Sequence, residues 1–392
     1  MVVKMRDTLL ADVGNDTTKV IYAFGQEDKE NDVSFSSIVA NVGTRPPDVP
    51  AAYNPYDGLG FVFRFEGQWW AVGDVAAARP NAKEVRGGNR YKSKEWLVLL
   101  AAAICATAEN REINVMAATP LLGGKAAEET IKKLLRRDFT TKLYDPHHEG
   151  DNTGQRTVTV ANVSTMRETE GALYYTLLDY DYQPNTTGYF AGLNRLVTDG
   201  HNTLHQRGLM YIDGGGWSLD YLPVIQLAPV FRRARTLRGD YGLNWVTSWL
   251  GDELQSHSVV GGMADRPSNV LKRALIPRYT SRGTPRFQLE FGDQMVDVKD
   301  EVERAIWPLN KAIANYIMDN MNGGVDTQFI ILTGGAASAI HPWLAETIDI
   351  AADERGMKNH THVLKPDVEN VPPYFHNVAG MYRYLRRVQS RM

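Results

Sequence analysis

Alternation and helical spacing divide the chain into a short series of elements. Apolar residues run from Thr8 to Val13, break at Gly14 and resume from Lys19 to Phe24, which predicts a β-hairpin with Asn15 and Asp16 in its turn. FSSIVA, from Phe35 to Ala40, reads as further extended chain, and a loop with Pro46, Pro47 and Pro50 follows it. Ser93 is placed as the N-cap of a helix reaching Ala108, a strand covers Ile113 to Ala117, and a second helix spans Lys125 to Arg137. Leu173 to Tyr182 reads as a strand carrying packed tyrosines, as Trp69 and Trp70 pack upstream. Leu209 to Ile212 is a short apolar strand that runs directly into Asp213 and three glycines. Val302, Ile306, Leu309 and Ile313 predict a helix over Lys299 to Asn320, bent at Pro308 and stopped by Gly323. Phe329 to Leu332 is a strand ending in Gly334 and Gly335, and a last helix covers Asn377 to Arg387. This succession of strands and helices indicates α/β layers.

Composition narrows the picture. A chain of 392 residues, 43% hydrophobic and 23% charged, can build two cored domains and is not of disordered type. Its formal net charge of -3 argues against a direct grip on nucleic acid, which draws on a basic surplus. Cys105 is the only cysteine, so no intramolecular disulfide is possible, and a cytoplasmic location is expected. The most apolar run, Leu97 to Ala106, is about half a membrane span and lies between Glu95 and Glu109, so a buried helix is expected there and no membrane association. The N-terminal stretch from Met1 to Gly14 lacks a secretory pattern.

Three turns carry candidate chemistry. In DVGNDTTK, Gly14 offers backbone angles closed to other residues, so that successive N–H groups of Gly14, Asn15 and Asp16 can face an anion. Thr17 and Thr18 offer hydroxyls, Lys19 a point charge for phosphate, and Asp12 a carboxylate for Mg²⁺ through water. In DGGGWSLD, Asp213 is followed by Gly214, Gly215 and Gly216, then Trp217 and Ser218, again after an apolar strand. Three glycines there suit a backbone that something approaches closely. In LTGGAASAI, Gly334, Gly335 and Ala336 leave room for a flat base where a helix begins. Each turn standing alone is also an ordinary chain reversal.

In this order and at these separations the three turns resemble the phosphate-one, phosphate-two and adenosine motifs of the actin, sugar-kinase and chaperone ATPase superfamily. FSSIVA, VGDVA from Val72 to Ala76, ATPLLGGK from Ala118 to Lys125, RGDYGLNWVTSWLGDEL from Arg238 to Leu254, and NVAGMYRYL from Asn377 to Leu385 narrow the resemblance to bacterial plasmid-segregation actins of the ParM type. The resemblance implies an α/β, actin-like two-domain ATPase fold: duplicated ribonuclease-H-like domains holding ATP or GTP with Mg²⁺ in a cleft. Domain I would cover residues 1–185 with a small subdomain at about 41–90, domain II residues 186–376, and the C-terminal helix 377–392 would return to domain I. Asp12 and Asp213 would hold Mg²⁺ through water and organise the reaction, with Lys19 on phosphate. Gly215, Gly216 and Ser218 would form the second clamp; Gly334, Gly335 and Ala336 would border the base, with Gly239 and Asp240 near the ribose. The group that positions the attacking water is sought in QPNTT, as Gln183 or Asn185; an amide is a poor base, so slow hydrolysis is expected. The implied role is an ATP-driven filament of self-associated copies that separates plasmid or phage DNA through a ParR-like DNA-binding adaptor. A small-molecule kinase of the same superfamily and a positioning scaffold are the alternatives.

Two remaining features change little. The basic run from Phe231 to Arg238 reads as a solvated face, and His147 with His148 lacks metal-ligand partners at a suitable spacing.

Overall fold

The chain forms two units, Met1–Gln183 with Asn377–Met392, and Pro184–His376. The computed structural model describes residues 6–24, 30–49, 53–56, 60–108, 111–146, 155–178, 208–225, 228–238, 241–263, 271–272, 274–279, 285–291, 293–320, 327–359, 361–364 and 371–389.

The first unit is built on β1 (Thr8–Val13), β2 (Thr17–Ala23), β3 (Glu30–Ser36), β4 (Ile38–Gly43), β5 (Val62–Phe65), β6 (Gln68–Val72) and the short helix α1 (Asp74–Ala77). There follow β7 (Lys83–Glu84), α2 (Lys94–Thr107), β8 (Glu112–Thr119), α3 (Gly124–Leu135), β9 (Asp138–Leu143), β10 (Gln155–Arg167) and α4 (Glu170–Leu177). Its sheet runs β3-β2-β1-β8-β10-β9-β5-β6-β4-β7. β1 is buried at every position, as a strand covered on both faces must be, and it pairs antiparallel with β2 and parallel with β8. β8 in turn pairs parallel with β10. α2 is the apolar helix expected from the sequence, with Ser93 Oγ accepting the Trp96 N–H at 3.1 Å as its N-cap. It packs into one core with Leu9, Val20, Phe63, Ile113 and Phe139.

The second unit contains β11 (Leu209–Gly214), β12 (Ser218–Ile225), β13 (Ala228–Pro229), β14 (Arg235–Arg238), α5 (Leu243–Leu254), β15 (Arg278–Tyr279), β16 (Pro285–Arg286), β17 (Gln288–Phe291) and β18 (Gln294–Asp297). It continues with α6 (Lys299–Asn320), β19 (Phe329–Thr333), α7 (Ala337–Asp353) and β20 (His362–Leu364), and α8 (His376–Gln389) carries the chain back to the first unit. Its main sheet runs β13-β12-β11-β19-β20, with β14 also on β12. The antiparallel pair β11–β12 beside parallel β19 repeats the arrangement of β1–β2 beside β8. α6 includes Pro308 and buries Val302, Ile306, Leu309, Ile313 and Ile317, a stripe at three- and four-residue steps against α7.

One element differs from expectation. Tyr174 and Tyr175 belong to helix α4, not to a strand, and residues 179–182 lie outside the described residues. Aromatic residues favour strands only weakly, and tertiary packing overrides that preference here: the Tyr174 ring sits 4.6 Å from that of Tyr384 on α8.

Candidate functional site

In the first unit the turn after β1 has Asp12 directly opposite Lys19 across the hairpin, and the Gly14 N–H donates to the Thr17 carbonyl at 3.1 Å. Directly paired residues point to the same face of a sheet, and Lys19 Nζ accordingly donates to Asp12 Oδ2 at 3.2 Å. Asp12 is buried, and its Oδ1 has no hydrogen-bond partner among the described residues. A buried carboxylate oxygen left over in this way is a place for one further donor, such as metal-bound water.

The remaining first-turn residues divide. Asn15 Oδ1 accepts from Gly87 N at 2.8 Å, and the Asp16 carbonyl accepts from Ser37 N at 2.8 Å, so both hold neighbouring loops. Thr18 is fully buried with its hydroxyl 3.0 Å from Ser37 Oγ; it is therefore withdrawn from the phosphate-facing set, because the strand alternates and turns it away from Lys19. Gly14 also needs a corrected reason: its φ is not positive, and glycine is required because a β-carbon would stand 2.9 Å from the Thr17 carbonyl oxygen.

In the second unit Asp213 stands opposite Asp220, and the Gly215 N–H donates to the Ser218 carbonyl at 2.9 Å, the same three-residue hydrogen bond as in the first turn. Two motifs converge on this turn. The Ala336 N–H at the start of α7 donates to the Gly214 carbonyl at 2.8 Å, and a β-carbon on Gly334 (φ 82°) would collide with the Asp213 carboxylate and the Gly214 carbonyl. The N–H groups of Leu243 and Asn244 at the start of α5 donate to the carbonyls of Gly215 and Gly216 at 3.0 and 2.9 Å. A β-carbon on Gly242 would collide with the Gly216 backbone, so α5 begins against this turn. Gly335 faces open space, and Gly215 meets only the Ser218 backbone and hydroxyl at ordinary distance. These are faces of bare backbone that a ligand can approach. Trp217 is half-buried beside them. Gln183, Asn185, Gly239 and Asp240 lie outside the described residues.

The structure adds two carboxylates that the sequence reading passed over. At the carboxyl end of β10, Glu168, Thr169 and Glu170 turn the chain into α4, at the same edge of the parallel strands as Asp12. Buried Arg90 ties the two turns together, donating from Nε to the Val13 carbonyl at 2.9 Å and forming an ion pair with Glu168. Glu170 Oε2 accepts the Arg167 N–H at 3.3 Å, and burial pushes its carboxyl above the ordinary glutamate range. The strand reading of Leu173 to Tyr182 hid this turn; the change from alternation in β10 to EGALYYTL was its signal.

Residues 11–171 match the family described as Actin like proteins N terminal domain. No curated protein matches the chain. Among solved structures the fold is similar to the archaeal actin homolog Ta0583 in complex with ADP, with a TM-score of 0.64 at 19% identity over 98% of this chain and 100% of that one. It is similar to a non-polymerisable quadruple mutant of pCBH ParM, with a TM-score of 0.62 at 18% identity over 97% of this chain and 99% of that one. It is also similar to Bacillus thuringiensis ParM in apo form, with a TM-score of 0.59 at 14% identity over 100% of this chain and 99% of that one.

Proposed function

We propose, from its actin-like fold, that this chain binds ATP, hydrolyses it, and uses hydrolysis to govern assembly of its own copies into filaments. The observation that carries the reading is the repeated turn: an aspartate at the end of a central strand, then a glycine hairpin closed by the same hydrogen bond, once in each unit. Asp12 and Asp213 are the carboxylates that would hold Mg²⁺ through water. Asp12 fits that role on its own evidence, since Oδ2 is bound to Lys19 while buried Oδ1 has an acceptor position to spare. A bound Mg²⁺ would supply neutralisation of phosphate charge and an ordered set of waters.

Lys19 contributes a fixed positive charge at the first turn. The Gly216 N–H and Ser218 contribute hydrogen bonds at the second, where Gly215, its own N–H given to the Ser218 carbonyl, leaves space for the phosphate to approach, and Gly334, Gly335 and Ala336 border the base. Glu170, where β10 turns into α4 at the same edge of the parallel strands as Asp12, orients the attacking water and takes its proton, and burial, which raises its pKa, makes it a stronger base than an ordinary glutamate. Glu168 is occupied by Arg90 and serves to hold the turn. The choice of ATP follows the ADP of the archaeal homolog. Filament formation and the separation of plasmid or phage DNA through an adaptor follow the likeness to ParM proteins, and the near-neutral charge motivates the adaptor.

Phosphate release from ATP and Mg²⁺ without added acceptor, measured together with light scattering, tests this function. Both signals should rise with ATP, and scattering should decay as ADP accumulates. A strict monomer with ATP refutes assembly, and absent phosphate release refutes hydrolysis.

A further inference from the structure

Thr169 has a backbone that its own sequence does not account for. It is β-branched and fully buried, yet sits at φ 69° and ψ -30°, a left-handed conformation that branched side chains rarely adopt. Among the described residues the other non-glycine at positive φ is Glu66, in the tight turn between β5 and β6 where such angles are ordinary. Strain in a strand-to-helix junction persists only where its surroundings impose it.

The imposing group is Asn377, whose Oδ1 accepts the Thr169 N–H at 3.1 Å in a buried hydrogen bond. The Thr169 hydroxyl takes no part, since Oγ1 has no partner among the described residues. Asn377 itself is held firmly. Its carbonyl packs on Gly171 so closely that a β-carbon there would collide with it, and Gly380 packs equally closely on the Gly171 carbonyl. At the other end of α4, Arg383 Nη1 donates to the carbonyls of Tyr175 and Leu178, each at 2.6 Å. In the second unit, four residues before Asn377, the Pro373 carbonyl accepts from Gly334 N at 3.0 Å and Thr333 Oγ1 at 3.1 Å.

We propose that Asn377 is a positioning residue for nucleotide hydrolysis, holding through Thr169 the turn that directs the Glu170 carboxylate. The assignment rests on the reading of Glu170 as the water-orienting group. Without the Asn377 acceptor, Thr169 relaxes toward common backbone angles and the first turn of α4 rotates with it. Asp12, Lys19 and the glycine turns keep their own hydrogen bonds, so nucleotide affinity stays while turnover falls.

The test measures kcat, KM for ATP and thermal midpoint in variants of the full chain. Asn377→Leu, without the acceptor, should lower kcat about tenfold or more with KM within about twofold of wild type. Asn377→Asp, which retains an acceptor, should stay within about threefold of wild type. Thr169→Gly, which adopts positive φ without strain, should restore part of the lost turnover when combined with Asn377→Leu. Where the leucine variant does not fold, Asn377→Ser removes the reach without overfilling the site and is held to the same expectation. The proposal is overturned by wild-type kcat in the variant lacking the acceptor. It is equally overturned by a parallel loss of kcat, affinity and thermal midpoint that Asp does not rescue. Glu170→Gln separates the two claims: full turnover in that variant removes the water-orienting reading and this proposal with it. An inactive Glu170→Gln beside an unaffected Asn377→Leu removes only the role of Asn377.

Discussion

Asp12 and Lys19 form a pair in which each side chain is nearly removed from water, with side-chain exposures of 2% and 12%. Removing one member of such a pair strands a buried charge, at about 3–5 kcal/mol. Lys19→Met should therefore lower the thermal midpoint and abolish tight nucleotide binding. Adding Asp12→Asn should recover stability but not turnover, and a double-mutant denaturation series reads the difference. Asp213 is packed against the Gly334 backbone. Asp213→Ala should fold normally while losing roughly 10²-fold or more in phosphate release, and unchanged turnover would remove Asp213 from the reaction. Glu170 adds a pH signature. Burial raises its pKa, so the acid limb of kcat should lie above the ordinary glutamate range and vanish in Glu170→Gln. A carboxyl raised in the folded state contributes stability below its unfolded pKa and loses that contribution as pH climbs through its folded value. The glutamine variant, neutral throughout, should accordingly melt higher than wild type at about pH 8 and no higher at about pH 4.

The two hairpins show how one local element is used twice. β1–β2 and β11–β12 both place an aspartate seven residues before the residue opposite it, yet that residue is Lys19 in one and Asp220 in the other. Their hydrophobic runs and glycines were legible in the sequence, because an apolar strand that ends in Asp and Gly leaves few alternatives. The interlocking of Gly334 with Asp213 was not, since a collision between residues so far apart in the chain has no local signal. Gly334→Ala would need both a left-handed backbone and space that the Asp213 carboxylate already fills. It should cost about 1–3 kcal/mol and displace Asp213, which a urea titration and a turnover assay would report together. α4 was missed for a related reason. Its tyrosines favour extended chain, and its helical state is maintained by Gly171 and Gly380 in contact and by Arg383 on its last carbonyls.

At the level of the whole molecule, each unit carries a central sheet in which an antiparallel hairpin lies beside parallel strands, with its own continuous core. No helix among the described residues is long and apolar enough to cross a membrane. Assembly into filaments should make light scattering dependent on ATP and on protein concentration, with a lag that seeds remove; a signal unaffected by nucleotide would contradict coupling to hydrolysis. Local rules reach as far as the strands around the glycine turns, α2 with its Ser93 cap, the apolar stripe of α6 and the aspartates at the ends of β1 and β11. All of these depend on neighbours within a few residues, through alternation, helical spacing or backbone freedom. The spare oxygen of Asp12, the burial of Glu170, the bridge from Arg90 and the left-handed Thr169 under Asn377 depend on groups distant in the chain. Only packing brings those groups within hydrogen-bond range and takes water away from them, so the partners of Asp12 and Glu168 and the raised pKa of Glu170 are properties of the folded molecule.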